Sequence, residues 1–354
     1  MTITVRHTTE QEKVDNMPYL TSSMLEALVT CPRWGLINSV NRRSFTENAR
    51  AMALEAGSAM HEVFSVLNLL QVGVVQGKVD HMNYHGERLF PGRWAGMTAK
   101  LDTTVHDKFR HDVMEDILLR CLASSDFYDD PADPYRTMSN LERAAFELYN
   151  YWVTVLSDFT IQTSELPDEP IGVERSIDVV FTAPDAAPIR FIGLADAIYQ
   201  NDTTRKVTLG EYKTSSRVTD SYLESFRTRN QVTAYMLGLH ADYSDYMSGN
   251  TIIIASEMPP KASKQNVQHI MVPRDEDSYA DFFAACKFGM QIIEQFGDNP
   301  TDAPMFTHSC NRYFRTCSLM TLCTCTSQDR RETYDSMFTK ELSPSEQMAE
   351  LQRG

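Results

Sequence analysis

Between Ile171 and Thr214 the chain changes its period. IGVERSIDVVFT, IRFIGLADAIYQ and KVTLGEYKT are three short runs rich in β-branched and aromatic residues, split by the turn signals APDAAP and NDTTR. Such runs at such spacing predict a meander of strands. A helical stretch over about 221–239 follows, then TIIIAS and NVQHIMV as two further strands, then a helix over 275–296. Ahead of the meander the spacing is helical over 19–40, over about 47–70, over roughly 104–122 and over 138–157. Residues 75–100 carry Gly, Pro and His without a period and are expected to form a loop insertion, and the acidic run at 126–133 a solvated loop. The predicted order is therefore a helical front lobe, three strands, a helix and one or two strands, an α/β class.

Length and charge narrow the reading. The chain has 354 residues, more than one hydrophobic core usually serves, so a core with a large elaboration is expected. Lys and Arg number 33 against 48 Asp and Glu, a net charge of −15, which excludes a chain that coats nucleic acid through bulk charge. Any contact with nucleic acid has to be local. The opening MTITVRHTTEQEKVDNMPYL holds no apolar run of signal-peptide kind, and no stretch is long enough to span a bilayer, so a soluble cytosolic protein is expected. The seven cysteines are odd in number, and four crowd into SCNRYFRTCSLMTLCTC. Clustered cysteines in a cytosolic chain point to metal ligation, not to a secreted disulfide framework.

Four spaced signals lie on this scaffold. Gly193 and Asp196 end one strand run, and Glu211 and Lys213 end the next. Residues two apart on a strand share a face, so Glu211 and Lys213 point the same way. A carboxylate pair suits a hard divalent cation, and a lysine beside it can orient water or stabilise charge on a phosphate. Gly57 and His61 lie one helical turn apart, where the glycine admits a close neighbour and the imidazole can reach a metal. Gln231 and Tyr235 place an amide and a phenol at i and i+4 on the helix after the Glu-x-Lys strand, both able to hydrogen-bond phosphate oxygens.

The ordered set Gly57/His61, Gly193/Asp196, Glu211/Lys213 and Gln231/Tyr235 resembles the RecB-like branch of the PD-(D/E)XK nuclease superfamily, over about residues 55–240. The resemblance implies a restriction-endonuclease-like α-β-β-β-α-β core on a mixed sheet, with a helical N-terminal lobe. It implies that His61, Asp196 and Glu211 hold Mg²⁺ or Mn²⁺, that Lys213 serves the hydrolytic water, and that Gln231 and Tyr235 assist near DNA. Glu174, on the first strand run, stands where relatives carry another acid. Arg205, Lys206, Arg217, Arg227 and Arg229 flank the strand ends and are candidates for the local basic groove that an acidic chain needs.

Cys31, at the end of the first helix, joins Cys310-x6-Cys317-x5-Cys323 to supply four thiolates, which by spacing suit either an iron-sulfur cluster or zinc. One cysteine ahead of the motifs and three behind resembles the 4Fe-4S staple of AddB-type nucleases and of CRISPR-associated RecB-like exonucleases. Cys325 is an alternative to Cys323, while Cys121 and Cys286 sit in apolar helical surroundings and are expected in the core. The expected organisation is a helical lobe over 1–165 carrying Cys31 and His61, a nuclease core over 166–300, a cysteine segment over 301–330 and a polar tail over 331–354. The function implied is a metal-dependent deoxyribonuclease, most simply an exonuclease, in recombination, repair or phage DNA processing. The alternatives are a non-catalytic DNA-end-binding scaffold or a subunit of a helicase-nuclease or CRISPR-adaptation-like complex. No Walker A loop occurs, so unwinding would need a helicase partner.

Overall fold

The structure is a computed structural model that describes residues 3–14, 17–40, 43–45, 52–75, 118–119, 122, 127, 137–155, 159–161, 172–184, 186–201, 203–262, 264–306, 310–312, 315–326 and 329–340. The predicted insertion over 75–100 apart from Val75, most of the predicted helix over 104–122 with Cys121, the acidic run apart from Phe127, and the tail beyond 340 lie outside the described residues. Two compact units are present, each discontinuous in sequence. One comprises Arg50–Ile177 and Leu194–Asp275, the other Met1–Ala49, Asp178–Gly193 and Glu276–Gly354.

The three predicted strands form as β1 (Val173–Thr182), β2 (Ile189–Asn201) and β3 (Val207–Ser215), and β4 (Met247–Glu257) and β5 (Val267–Pro273) follow. In the Arg50–Ile177/Leu194–Asp275 unit, β2 pairs antiparallel with β3 from Ala197↔Gly210 to Gln200↔Val207. The turn between them is tied by Asn201, whose Oδ1 accepts from Thr203 N at 3.1 Å and Thr204 N at 2.8 Å. β3 runs parallel to β4, with Lys213 beside Ala255 and Ser215 beside Glu257, and β4 returns antiparallel to β5. Parallel neighbours need a crossover. Helix α3 (Asn230–Tyr243) supplies it and packs on β3 and β4. Gly238 is what lets α3 sit so close, since a Cβ there would lie 2.6 Å from Ile177 Cγ2.

The same unit holds α1 (Met52–Val75) and α2 (Met138–Val155). Met60, Val63, Phe64 and Leu67 recur at helical spacing on α1 and are fully buried, together with Leu141, Ala145, Leu148 and Trp152 of α2 and Tyr199, Tyr212, Ile252 and Ile254 of the strands. One polar node lies inside this core. Asn68 Oδ1 accepts from Trp152 Nε1 at 3.2 Å and from Tyr199 Oη at 3.0 Å.

The helix predicted over 221–239 is interrupted. Asp220–Glu224 is α-helical, Ser225–Thr228 is a 3-10 turn, and Arg229 is extended before α3 begins. The cause is Arg274. Its buried guanidinium takes the carbonyls of Phe226 at 3.0 Å and Arg229 at 3.3 Å, and Thr233 Oγ1 at 2.7 Å. Those carbonyls would otherwise serve a continuous helix.

In the other unit, Thr4–His7 pairs antiparallel with Val179–Thr182 and Tyr19–Leu20 pairs parallel with Arg190–Phe191. Arg190 holds Asp178 through two hydrogen bonds of 3.0 and 2.9 Å, and Thr8 Oγ1 donates to the same carboxylate. The single helix predicted over 19–40 is three pieces: Ser22–Thr30, Pro32–Gly35 and a π-helical turn over Leu36–Val40. It breaks at Cys31, with φ −159° and ψ 108°, because a residue before proline is driven out of the helical region. Helix α4 (Glu276–Phe296) forms as predicted and seats Gly289 against Leu20, Leu25 and Leu28, and buried Cys286 lies on it. Among the described residues no helix is long and apolar enough to cross a membrane.

Candidate active site

His61, Asp196, Glu211 and Lys213, predicted from three separate motifs, come together in one unit. Asp196 lies one step beyond the Ala197↔Gly210 pair of β2 and β3. Its Oδ2 accepts the Tyr212 N–H at 2.8 Å, and its Oδ1 is 3.6 Å from His61 Nδ1. Lys213 Nζ is 2.9 Å from Glu211 Oε2, as two side chains on one face of a strand require. Gly57 does admit a close neighbour. A Cβ there would lie 3.1 Å from Thr214 Oγ1, so the glycine seats α1 on the residue after Lys213.

Sequence reasoning missed Tyr212. It points to the opposite side of β3 from Glu211 and Lys213, stacks on Phe64 with ring centroids 5.0 Å apart, and meets His61 edge-on at 5.1 Å. One strand residue thus fixes Asp196 through its N–H and His61 through its ring. An aromatic between two polar strand residues is an ordinary core pattern, so no local signal marks it.

Electrostatics separate the two carboxylates. Burial opposes ionisation of Asp196, but the His61 contact, the Lys213 charge and the Tyr212 N–H outweigh it and hold this acid below its usual range. Glu211 is pushed up to about 8, by burial first and then by the Asp196 charge, with Lys213 offsetting only part. Lys213 itself is raised: burial would lower it, but Glu211 and Asp196 favour the ammonium. Glu211 is fully buried and its Oε1 has no hydrogen-bond partner among the described residues. A buried carboxylate oxygen left bare is costly, and a cation is the group that would satisfy it. Two carboxylates and an imidazole are donor types that a divalent cation takes.

Around this centre, Gln231 Nε2 donates to Tyr235 Oη at 3.4 Å, and Tyr235 is close enough to Lys213 to be felt electrostatically. Glu174 accepts from Ser65 Oγ at 3.1 Å, one turn along α1 from His61. It has φ 48°, in the left-handed region that a non-glycine residue enters at a cost. The arginines differ among themselves. Arg227 is held by Glu224, and Arg229 lies over the Phe226 ring at 4.7 Å. Arg217 and Arg205 are exposed, the latter at φ 58° in the β2–β3 turn with Lys206 beside it.

The cysteines predicted as ligands lie in the other unit. Cys31, Cys310, Cys317 and Cys323 are free thiols. Cys317 N donates to Cys310 O at 2.7 Å, and Leu319 N to Cys317 Sγ at 3.4 Å. The Cys310 thiol is pushed up by burial and then by Cys317, Cys323 and Cys31. Cys325 Sγ donates to Thr321 O at 3.0 Å. Arg33, buried and unforeseen, donates to Cys323 Sγ at 3.4 Å and to Ala303 O at 3.0 Å. Among the described residues no three His, Cys, Asp or Glu side chains already converge as a finished cage. Lys213 lies on a carboxylate, and Arg33 lies on a sulfur.

No family model matches the chain, and no curated protein matches it. Among solved structures, the chain is similar to a protein from Eubacterium rectale named as a candidate exonuclease, with 10% identity and a TM-score of 0.39, over 90% of this chain and 98% of that one. It is also similar to the protein SSO0001, with 16% identity and a TM-score of 0.28, over 54% of this chain and 70% of that one.

Proposed function

We propose that this protein is a metal-dependent nuclease of restriction-endonuclease-like fold that hydrolyses phosphodiester bonds in DNA. The observation that carries the reading is the buried Glu211 carboxylate, one oxygen on Lys213 at 2.9 Å and the other without a partner among the described residues, beside Asp196 and His61 from two further elements. His61, Asp196 and Glu211 would hold Mg²⁺ or Mn²⁺, the imidazole making the site tolerant of the softer ion. When bound, the cation supplies charge neutralisation at the phosphate. Phosphate-ester hydrolysis is so slow unaided that the barrier has to fall by more than ~15 kcal/mol.

Lys213 has a definite part in this. Its ammonium is favoured by both carboxylates, so it does not abstract a proton. It orients water and stabilises charge building on the phosphate oxygens. Tyr235 and Gln231 would assist near the DNA, and Arg217, Arg229 and the Arg205–Lys206 turn would offer phosphate contacts. The four cysteines suit a 4Fe-4S cluster, with zinc as the lesser alternative, that ties the N-terminal helix to the C-terminal segment. Action on DNA ends, alone or beside a helicase or recombination partner in the cytoplasm, completes the reading.

The test is digestion of end-labelled linear and of circular DNA with Mg²⁺ or Mn²⁺ titrated at several pH values. Loss of label from linear DNA with circular DNA intact supports an exonuclease, and no digestion of either with any divalent cation overturns the proposal. The pH dependence follows from Glu211. With its carboxyl at about 8 against an ordinary 4.5, the cation-free fold carries a proton there that the unfolded chain sheds. A bound cation has to displace that proton, so affinity rises about tenfold per pH unit up to pH ~8 and flattens above. The cation-free fold loses stability as pH rises through the same window, because it binds more protons than the unfolded chain. Isothermal titration in two buffers of different ionisation heat checks the proton release.

A further inference from the structure

The hairpin between β4 and β5 carries a charge arrangement that none of the motifs includes. Glu257, the last residue of β4, has a fully buried carboxylate. It accepts from Lys264 Nζ at 2.8 Å, from Val218 N at 3.1 Å, and from Lys261 Nζ. The hairpin is closed on itself by buried Asn266, whose Oδ1 takes Lys261 N at 2.7 Å and whose Nδ2 gives to Lys261 O at 2.9 Å. It is bolted to the segment that leaves the Glu-x-Lys strand, because Met258 N donates to Ser215 O at 2.7 Å and Lys264 Nζ to Val218 O at 3.0 Å.

A need to neutralise Glu257 does not account for this arrangement. The Val218 N–H and one lysine already serve the carboxylate, yet a second lysine is drawn to it. Both lysines keep an outward surface, with side chains 57% and 38% exposed. Exposed Arg217 lies in the same 215–218 segment, its N–H on Ser215 Oγ at 3.3 Å. Arg143 reaches the hairpin at Pro260 O, with Glu147 as its acidic counterpart. Positive charge is therefore in surplus, where the chain as a whole has a net charge of −15. The place is also telling. Ser215 is two residues past Lys213, ~7 Å along a strand. Lysines pinned by a buried anion have already lost most of their rotamer freedom, so a phosphate contact costs them less than it costs a free surface lysine.

We infer that Lys261 and Lys264, held by Glu257, are a substrate-binding clamp that contacts backbone phosphates of the DNA strand next to the bond being cut. The inference rests on the nuclease reading and names where that site grips its substrate. The contacts are to phosphate and carry no base preference.

The experiment measures binding of a fluorescently labelled single-stranded oligodeoxynucleotide to the full chain in EDTA, so that nothing is cut, over a range of salt. For Lys261→Gln/Lys264→Gln the expected result is about tenfold weaker binding, with the slope of log K against log salt shallower by about 1.4, as for two lost single-strand phosphate contacts. Lys261→Arg/Lys264→Arg restores both. Because the glutamines strip Glu257 of its cations, a triple variant adding Glu257→Gln removes the imbalance. It is expected to keep the shallow slope while melting near the wild-type temperature. An unchanged slope in the double glutamine variant, or a wild-type slope in the triple variant, overturns the clamp and leaves the nuclease reading standing. Wild-type protein that neither binds nor digests DNA sinks both.

Discussion

Replacement of Lys213 by alanine is expected to lower kcat on labelled DNA by about 10³-fold with KM little changed, since a positioned cation acts on charge that develops only in the transition state. The fold should survive. Lys213 is a part-exposed side chain at the end of β3, and its removal leaves Glu211 to keep the proton it already favours. Glu211→Gln is expected to cost at least as much activity, because it replaces a carboxylate oxygen that has no partner among the described residues. The two residues act as a unit, so the double variant should be hardly worse than either single one. Single-turnover digestion with Mg²⁺ and with Mn²⁺, alongside thermal melting, separates lost chemistry from lost fold. Activity within threefold of wild type in either variant would remove the pair from the site.

Much of this centre was legible because its signals are local. Strand alternation alone places Glu211 and Lys213 together, and one helical turn relates Gly57 to His61. Side chains whose roles are set from a distance were not legible. Tyr212 anchors His61 only because Phe64 of α1 lies under its ring. Arg274, more than thirty residues beyond the helix it breaks, turns a continuous helical pattern into three pieces by taking two of its carbonyls. Glu257 reads as an ordinary strand-end acid until its two lysines are seen to fold back on it. The break at Cys31, by contrast, was available locally, since the Cys-Pro pair alone disfavours a helical Cys31. Short strands such as Thr4–His7 and Phe159–Ile161 carry too few residues to show a period and exist through their partners in β1 and β2.

Cys31→Ser is expected to be the most destabilising single change in the chain, through the cysteine centre. A tie from Cys31 to Cys310 closes a loop of 279 of the 354 residues. In the chain-entropy picture a cross-link over a loop of ~100 residues or more contributes over 4 kcal/mol, and metal ligation contributes in the same sense. Loss of one of four ligands should therefore lower the melting temperature by about 10 °C and release the bound metal. Arg33→Ala tests the same centre without touching a ligand. It removes a charge-assisted N–H to Cys323 Sγ and a buried bond to Ala303 O, which together hold Cys323 in place. Its expected cost is about 3 kcal/mol, and Arg33→Lys should recover little, because a lysine cannot present two N–H groups in a fixed fork. Cys325→Ser should be close to neutral, since that thiol is engaged by Thr321 O and a serine hydroxyl can make the same bond. Anaerobic purification with iron and zinc analysis, followed by melting of the three variants, decides among the possibilities. Brown protein with iron lost in Cys31→Ser and retained in Cys325→Ser supports a 4Fe-4S cluster on Cys31, Cys310, Cys317 and Cys323. One equivalent of zinc without iron replaces the cluster by a zinc staple on the same four residues. An unchanged melt and metal content in Cys31→Ser would show that the ends of the chain are held by packing alone, and would remove the cysteines from any ligand role.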